Sequence, residues 1–92
     1  IDIIAVNDTE VVPTEVKTTL SVKKVKEFIE KLKVFNKAFR EFGDKKVIGA
    51  IGYLKVQEEA DKFAMKQGLY VIRATGSSAV IINPTGFKPK RF

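Results

Sequence analysis

Three side chains near the start of the chain carry the chemistry this sequence offers: Asp2, Glu15 and Lys17. Glu15 and Lys17 are two apart, so on a strand they project from the same face. Asp2 stands in an otherwise apolar run, IDIIAV, where a carboxylate is costly unless something pairs with it. Two carboxylates brought together repel unless a positive charge sits between them, and a divalent cation fills that place. Mg²⁺ takes one or two protein carboxylates and completes its shell with water and phosphate oxygens. A lysine beside such an ion orients or deprotonates its water, or stabilises the charge that builds on a phosphate. This is the minimum equipment for metal-assisted phosphodiester hydrolysis.

It is also equipment that needs neither histidine nor cysteine, and the 92-residue chain has none of either. Disulfides, thiolate nucleophiles, Cys/His zinc sites and hydrolases with an imidazole base are excluded. Seventeen Lys and Arg against eleven Asp and Glu leave a formal charge of +6, which favours an acidic partner, nucleic acid first. No apolar run approaches the ~20 residues of a membrane-spanning helix, so no membrane partner is expected and a cytoplasmic location is the default. The sequence shows no internal repeat.

The elements that must position the three residues are a hairpin and a helix. Ile1 to Val6 reads as a strand, Asn7 to Glu10 as a turn, and Val11 to Thr19 as a second strand. If the loop holds an even number of residues, paired positions sum to 17, with Val6 facing Val11, and Asp2 falls opposite Glu15. Directly opposed side chains have Cβ atoms ~5 Å apart. Pro13 cannot donate to a ladder and predicts an edge-facing amide or a bulge. Ser21 is a helix N-cap. The apolar residues from Val22 to Phe42 then recur in threes and fours, which predicts one long helix stopped at Gly43, its phenylalanines in the core.

On the other face of that helix lie many lysines. Most read as a solvated face, with Glu27 paired to Lys31 and Glu30 to Lys33 or Lys37. Lys23, Lys24 and Lys26 follow the second strand closely and are the candidates for DNA phosphate contacts. Further along, Val47 to Val56 reads as a strand, Gln57 to Gln67 as a helix closed by Gly68, and Leu69 to Arg73 and Ala79 to Ile82 as strands. The tail from Thr85 is basic and either binds nucleic acid or is disordered. The order β-β-α-β-α-β-β predicts a mixed α/β fold with helices packed on a mixed sheet.

Asp2, twelve residues, then Glu15-Val16-Lys17, with a long helix and another strand after them, resembles the PD-(D/E)xK nuclease superfamily. That superfamily includes restriction enzymes and Holliday-junction resolvases. The resemblance covers roughly Ile1 to Val56. It implies a restriction-endonuclease-like core, Mg²⁺ or Mn²⁺ held by Asp2, Glu15 and the Val16 carbonyl, Lys17 near the attacking water, and DNA as substrate. Ile stands before Asp2 where the family signature has Pro. The family core has a helix and a strand before the Asp strand, so residues 1–92 are expected to be a single nuclease-like domain lacking those two elements. An exposed sheet edge in such a domain would favour a homodimer. Two other readings use the same residues. One is a catalytically inactive DNA-binding or oligomerisation module of the same fold. In the other, Asp2 frays and Glu15 and Lys17 belong to a solvated strand face.

Overall fold

A computed structural model describes residues 1–92. The hairpin forms in the expected register. Strand β1 (Ile3–Val6) pairs antiparallel with β2 (Glu10–Leu20), Ile3 facing Thr14 and Val6 facing Val11. Asn7 makes the turn: its Oδ1 accepts the N–H groups of Thr9 at 2.9 Å and Glu10 at 2.7 Å. Such a side chain replaces a backbone acceptor and fixes the loop length, and with it the register.

Strand β2 is interior, not an edge. Its other side pairs in parallel with β3 (Lys46–Val47) and β4 (Ala50–Val56), and β4 pairs in parallel with β5 (Tyr70–Ala74). Strand β6 (Ala79–Ile81) closes the sheet antiparallel to β5, so the order is β1-β2-β4-β5-β6, with β3 beside β2. The parallel connections require crossovers, and helices supply them on one face of the sheet.

Pro13 makes neither an edge-facing amide nor a bulge. On β2 the Val11 carbonyl accepts from Ile48 and so faces β3 and β4, whereas the Thr14 carbonyl accepts from Asp2 on the β1 side. By alternation the nitrogen of Pro13 points towards β3 and β4. The strand expected from Val47 to Val56 is broken there, at Ile48–Gly49, between β3 and β4. Both pieces keep the same register against β2, Val11 with Val47 and Thr14 with Ala50. The missing donor thus coincides with a gap in its partner. Gly49 fills that gap because a Cβ there would lie 2.5 Å from Leu32 and 2.7 Å from Leu69.

The long helix is also broken. Helix α1 runs Val22–Lys33, capped by Ser21, whose Oγ accepts the Lys24 N–H at 3.3 Å. A short turn of helix, α2 (Phe35–Ala38), and a 3₁₀ turn (Arg40–Phe42) follow, with Val34 at φ −110°, ψ 8° between α1 and α2. The break folds the phenylalanines onto one another. Phe35 stacks on Phe39 at 4.7 Å and on Phe42 at 6.0 Å between ring centroids. Helix α3 (Ala60–Lys66) starts later than expected, because Glu58 and Glu59 take left-handed backbone conformations, φ 58° and 52°. Gly68, at φ 89°, ends that segment as expected.

The core lies between the sheet and α1 and α3. Phe28, Leu32 and Phe35 from the helical side meet Val11, Ile51, Leu69 and Val71 from the strands, all essentially inaccessible to water. The tail is ordered against this core rather than loose. Lys90 N–H donates to the Gly68 carbonyl at 3.0 Å, Phe92 N–H to the Val47 carbonyl at 2.8 Å, and the Phe92 ring packs on the core. Asn83 acts as one more partner for β5, accepting from the Val71 N–H at 2.7 Å and donating to the Leu69 carbonyl at 3.0 Å. No helix is long and apolar enough to cross a membrane.

Candidate functional site

Strand β2 sends its odd-numbered side chains, Val11, Pro13, Glu15 and Lys17, towards the helices. The first two are buried core residues, so Glu15 enters the same layer and is only 5% exposed. A buried carboxylate needs partners, and it has them. Lys17 Nζ lies 3.1 Å from Oε2, and Lys31 Nζ, from α1, lies 3.0 Å from Oε1. The Ile1 amino nitrogen stands 3.2 Å from Oε1. A peptide bond at that nitrogen would leave a donor and remove its charge.

Burial alone would push the Glu15 carboxyl up. The hydrogen bonds from Lys31, Lys17 and the Ile1 nitrogen outweigh it and bring its pKa from an ordinary 4.5 to about 2. Glu15 is therefore an anion at neutral pH, held by ammonium groups whose own side chains are 30% and 51% exposed. The anion is fixed and its lysines can move.

Asp2 is the near neighbour of Glu15 that the hairpin register requires. The Asp2 N–H donates to the Thr14 carbonyl at 3.0 Å, extending the pairing by one residue beyond β1. Its carboxylate does not join the Glu15 cluster through a hydrogen bond. Oδ2 accepts the Val16 N–H at 2.8 Å, capping β2 where β1 has run out. In a strand, the N–H and C=O of one residue point to the same side, so the Val16 carbonyl faces this open edge too. Asp2, the Val16 carbonyl and Glu15 thus border one end of the hairpin. No group of three or more Asp, Glu, His or Cys side chains is placed to hold a metal ion.

Two residues of this neighbourhood were not singled out from the sequence. Lys31 reads there as the i+4 partner of Glu27, yet it turns to Glu15. Its signal is weak: a lysine bordering the buried stripe Val25, Phe28, Ile29, Leu32. Tyr53 is the register partner of Lys17 on β4 and lies 4% exposed. Its hydroxyl is 3.5 Å from Asp61 Oδ2, and burial together with the Asp61 charge raises its pKa, so it remains a proton donor. Only the pairing of β2 with β4 brings Tyr53 here.

Lys23, Lys24 and Lys26 lie at the other end of α1, and eight residues separate Lys23 from Lys31, ~12 Å along the axis. Lys24 Nζ is committed to the Thr19 carbonyl at 2.8 Å, which closes the strand-to-helix turn. Lys23 and Lys26 line an open groove of about 470 Å³ with Glu27, Glu30 and Glu58. Lys26 also lies 6.0 Å from the centre of the Phe63 ring.

Comparison with curated proteins and with solved structures finds no match. A family model, described as a domain of unknown function, matches residues 1–80, from the hairpin through β6 to the residue before Ile81. The span takes in Asp2, Glu15, Lys17 and Lys31, and the chain belongs to that family, DUF8196.

Proposed function

We propose that this chain is a nuclease-like domain of the PD-(D/E)xK type, with a restriction-endonuclease-like core, that hydrolyses DNA phosphodiester bonds with Mg²⁺ or Mn²⁺. The observation that carries the reading is Glu15: a buried carboxylate, held ionised on a central strand, with Lys17 on its Oε2 and Asp2 at the adjoining edge.

The donors suit a hard cation. Two carboxylates and a carbonyl are all oxygen, and Mg²⁺ needs few protein ligands. Asp2, Glu15 and the Val16 carbonyl would hold it. A bound ion there would supply Lewis acidity and an activated water. The remaining work falls to the chain's own residues. Loading requires an ammonium group to leave Glu15, and the exposure of Lys17 and Lys31 permits that. Freed from Glu15, the two ammonium groups lie where a phosphodiester anion would bring its charge. Lys17 would stand beside the attacking water.

The test is cleavage of plasmid, single-stranded and branched DNA with Mg²⁺ or Mn²⁺, paired with calorimetric titration of Mn²⁺ in the absence of DNA. Glu15→Gln and Lys17→Ala should each lower cleavage by about 10²–10³-fold, the usual cost of removing one such group. Asp2→Asn should weaken Mn²⁺ binding without unfolding the chain. Wild-type protein that cuts nothing, or variants that cut as well as wild type, would remove the enzymatic reading.

One observation favours a second reading, an inactive DNA-binding module. Glu15 is already satisfied by cationic donors on both oxygens, as in a purely structural ion cluster. That reading expects salt-dependent DNA binding with neither cleavage nor Mn²⁺ uptake.

A further inference from the structure

The sheet has a second face, and the chain covers it only at one end, where the Phe87 ring stands edge-on to Tyr70 at 5.2 Å. Apart from Leu20, which is buried in the core at the end of β2, even-numbered residues of β2, β4 and β5 point away from the helices, and the register continues the row onto β6: Val16 beside Gly52, Gly52 beside Ile72, Ile72 beside Ile81. Large apolar side chains stand in water there, Ile3 57%, Val16 45%, Leu54 51% and Ile81 59% exposed. Parallel strands such as β2, β4 and β5 are ordinarily covered on both faces. Single exposed apolar residues are unremarkable, but a contiguous row of them across a sheet marks an interaction surface.

From this face we infer a homodimer in which two copies pack their open sheets against each other. Two observations favour a second copy as the occupant. The first is charge. The chain carries 17 basic and 11 acidic residues, yet the strand residues on this face carry only one of each, Glu10 and its register partner Lys46, side by side at the rim. A chain of net charge +6 can meet its own copy here without a row of opposing lysines, and no partner of opposite charge is called for.

The second is area and shape. Five strands spaced ~4.8 Å, each presenting about five residues at ~3.3 Å, give a face of roughly 400 Å² in plan. Two such faces, corrugated by side chains, reach about the ~1,000 Å² that a specific interface requires. Gly52 leaves a shallow floor between Val16 and Ile72, where a Cβ would only just touch both, at 3.4 Å from Val16 and 3.7 Å from Ile72. A side chain from the opposing sheet fits that floor. The inference is independent of whether the Glu15 site cleaves DNA.

Sedimentation equilibrium of the 92-residue chain across a wide concentration range tests it. A monomer–dimer equilibrium is expected, unweakened by added salt because no ion pair holds it. Leu54→Lys and Ile81→Lys, on two different strands, should each weaken it at least about tenfold, since each buries an unpaired ammonium, with circular dichroism unchanged. Val34→Lys, at an equally exposed position on the helical side, should leave it intact. A chain that stays monomeric at the highest concentration overturns the inference. So does a dimer that survives both face variants but is lost on Val6→Pro, which would place the contact at the β1 edge. A monomer that floats with neutral lipid vesicles would also overturn it.

Discussion

Helix α1 has lysines at both ends, and the two ends do different things. At its C-terminal end Lys31 reaches across to Glu15, a buried anion on the interior strand β2, and shares it with Lys17. At its N-terminal end Lys23 and Lys26 alternate with Glu27, Glu30 and Glu58 around an open groove, and Lys24 serves a backbone carbonyl. Both ends are lysine-rich, and Lys33 and Glu30 form a closer ion pair, 2.8 Å, than any at Glu15. The difference lies in the acidic partner. Glu30 keeps 70% of its side-chain exposure, whereas Glu15 keeps 6%. Burial, and not the density of lysines, makes the Glu15 side of α1 a candidate site and the Glu30 side a solvated surface.

The largest expected effect sharpens that contrast through stability. Glu15→Ala leaves two ammonium groups facing a hole in the core and should cost about 3 kcal/mol. Glu30→Ala loses a surface pair and should cost under ~0.5 kcal/mol. Glu15→Met, which fills the space without charge, should recover most of the loss or exceed wild type, because a buried ion pair is often worth no more than good apolar packing. Urea unfolding of the three variants decides it. Equal costs for Glu15→Ala and Glu30→Ala would erase the contrast. A Glu15→Met protein that is fully stable and does not cleave would mean that the carboxylate is kept for chemistry.

A somewhat smaller effect comes from acid. The folded pKa of Glu15, about 2, lies below its ordinary 4.5, so between those values the unfolded chain binds the proton that the folded chain refuses. The stability it contributes is complete above about 4.5 and is lost as pH falls towards about 2. With the partial exposure of its lysines discounted, that loss is on the order of 2 kcal/mol. Thermal melts stepped through this window should show wild type losing that much more than Glu15→Gln. Identical pH dependence in the two proteins would mean that Glu15 is no more strongly held than Glu30.

How much of this was legible depended on range in the chain. The hairpin register followed from loop parity alone, because Asn7 closes the turn with bonds only two and three residues long. Asp2 beside Glu15, and Lys17 on the face of Glu15, came with it. Which face was buried did not, since alternation fixes faces and not their neighbours. Lys31 was misread because a local partner, Glu27, stood at the right helical spacing, and the contact that won spans sixteen residues. The break at Val34 left no trace in the spacing of Phe35, Phe39 and Phe42, whose stacking needs a bend that threes and fours do not encode. Pro13 signalled a disrupted ladder, but whether its own strand or its partner gave way was a tertiary matter.

The smallest effect tests the comparison from the side of DNA. Each lysine that neutralises a phosphate steepens the fall of affinity with salt by about one unit of log–log slope. Lys23 and Lys26 already face Glu27, Glu30 and Glu58, which a phosphate would have to compete with and be repelled by. Lys23→Ala and Lys26→Ala should therefore change the slope by well under ~0.5, while Lys17→Ala or Lys31→Ala should each reduce it by about one. Fluorescence anisotropy with a labelled duplex, with Ca²⁺ present to engage Glu15 and free its two lysines, reads the slope directly. A loss of about one unit for Lys23→Ala and for Lys26→Ala, with none for Lys17→Ala or Lys31→Ala, would reverse the assignment. The DNA surface would then lie at the start of α1, and the buried Glu15 cluster would be a strut of the fold.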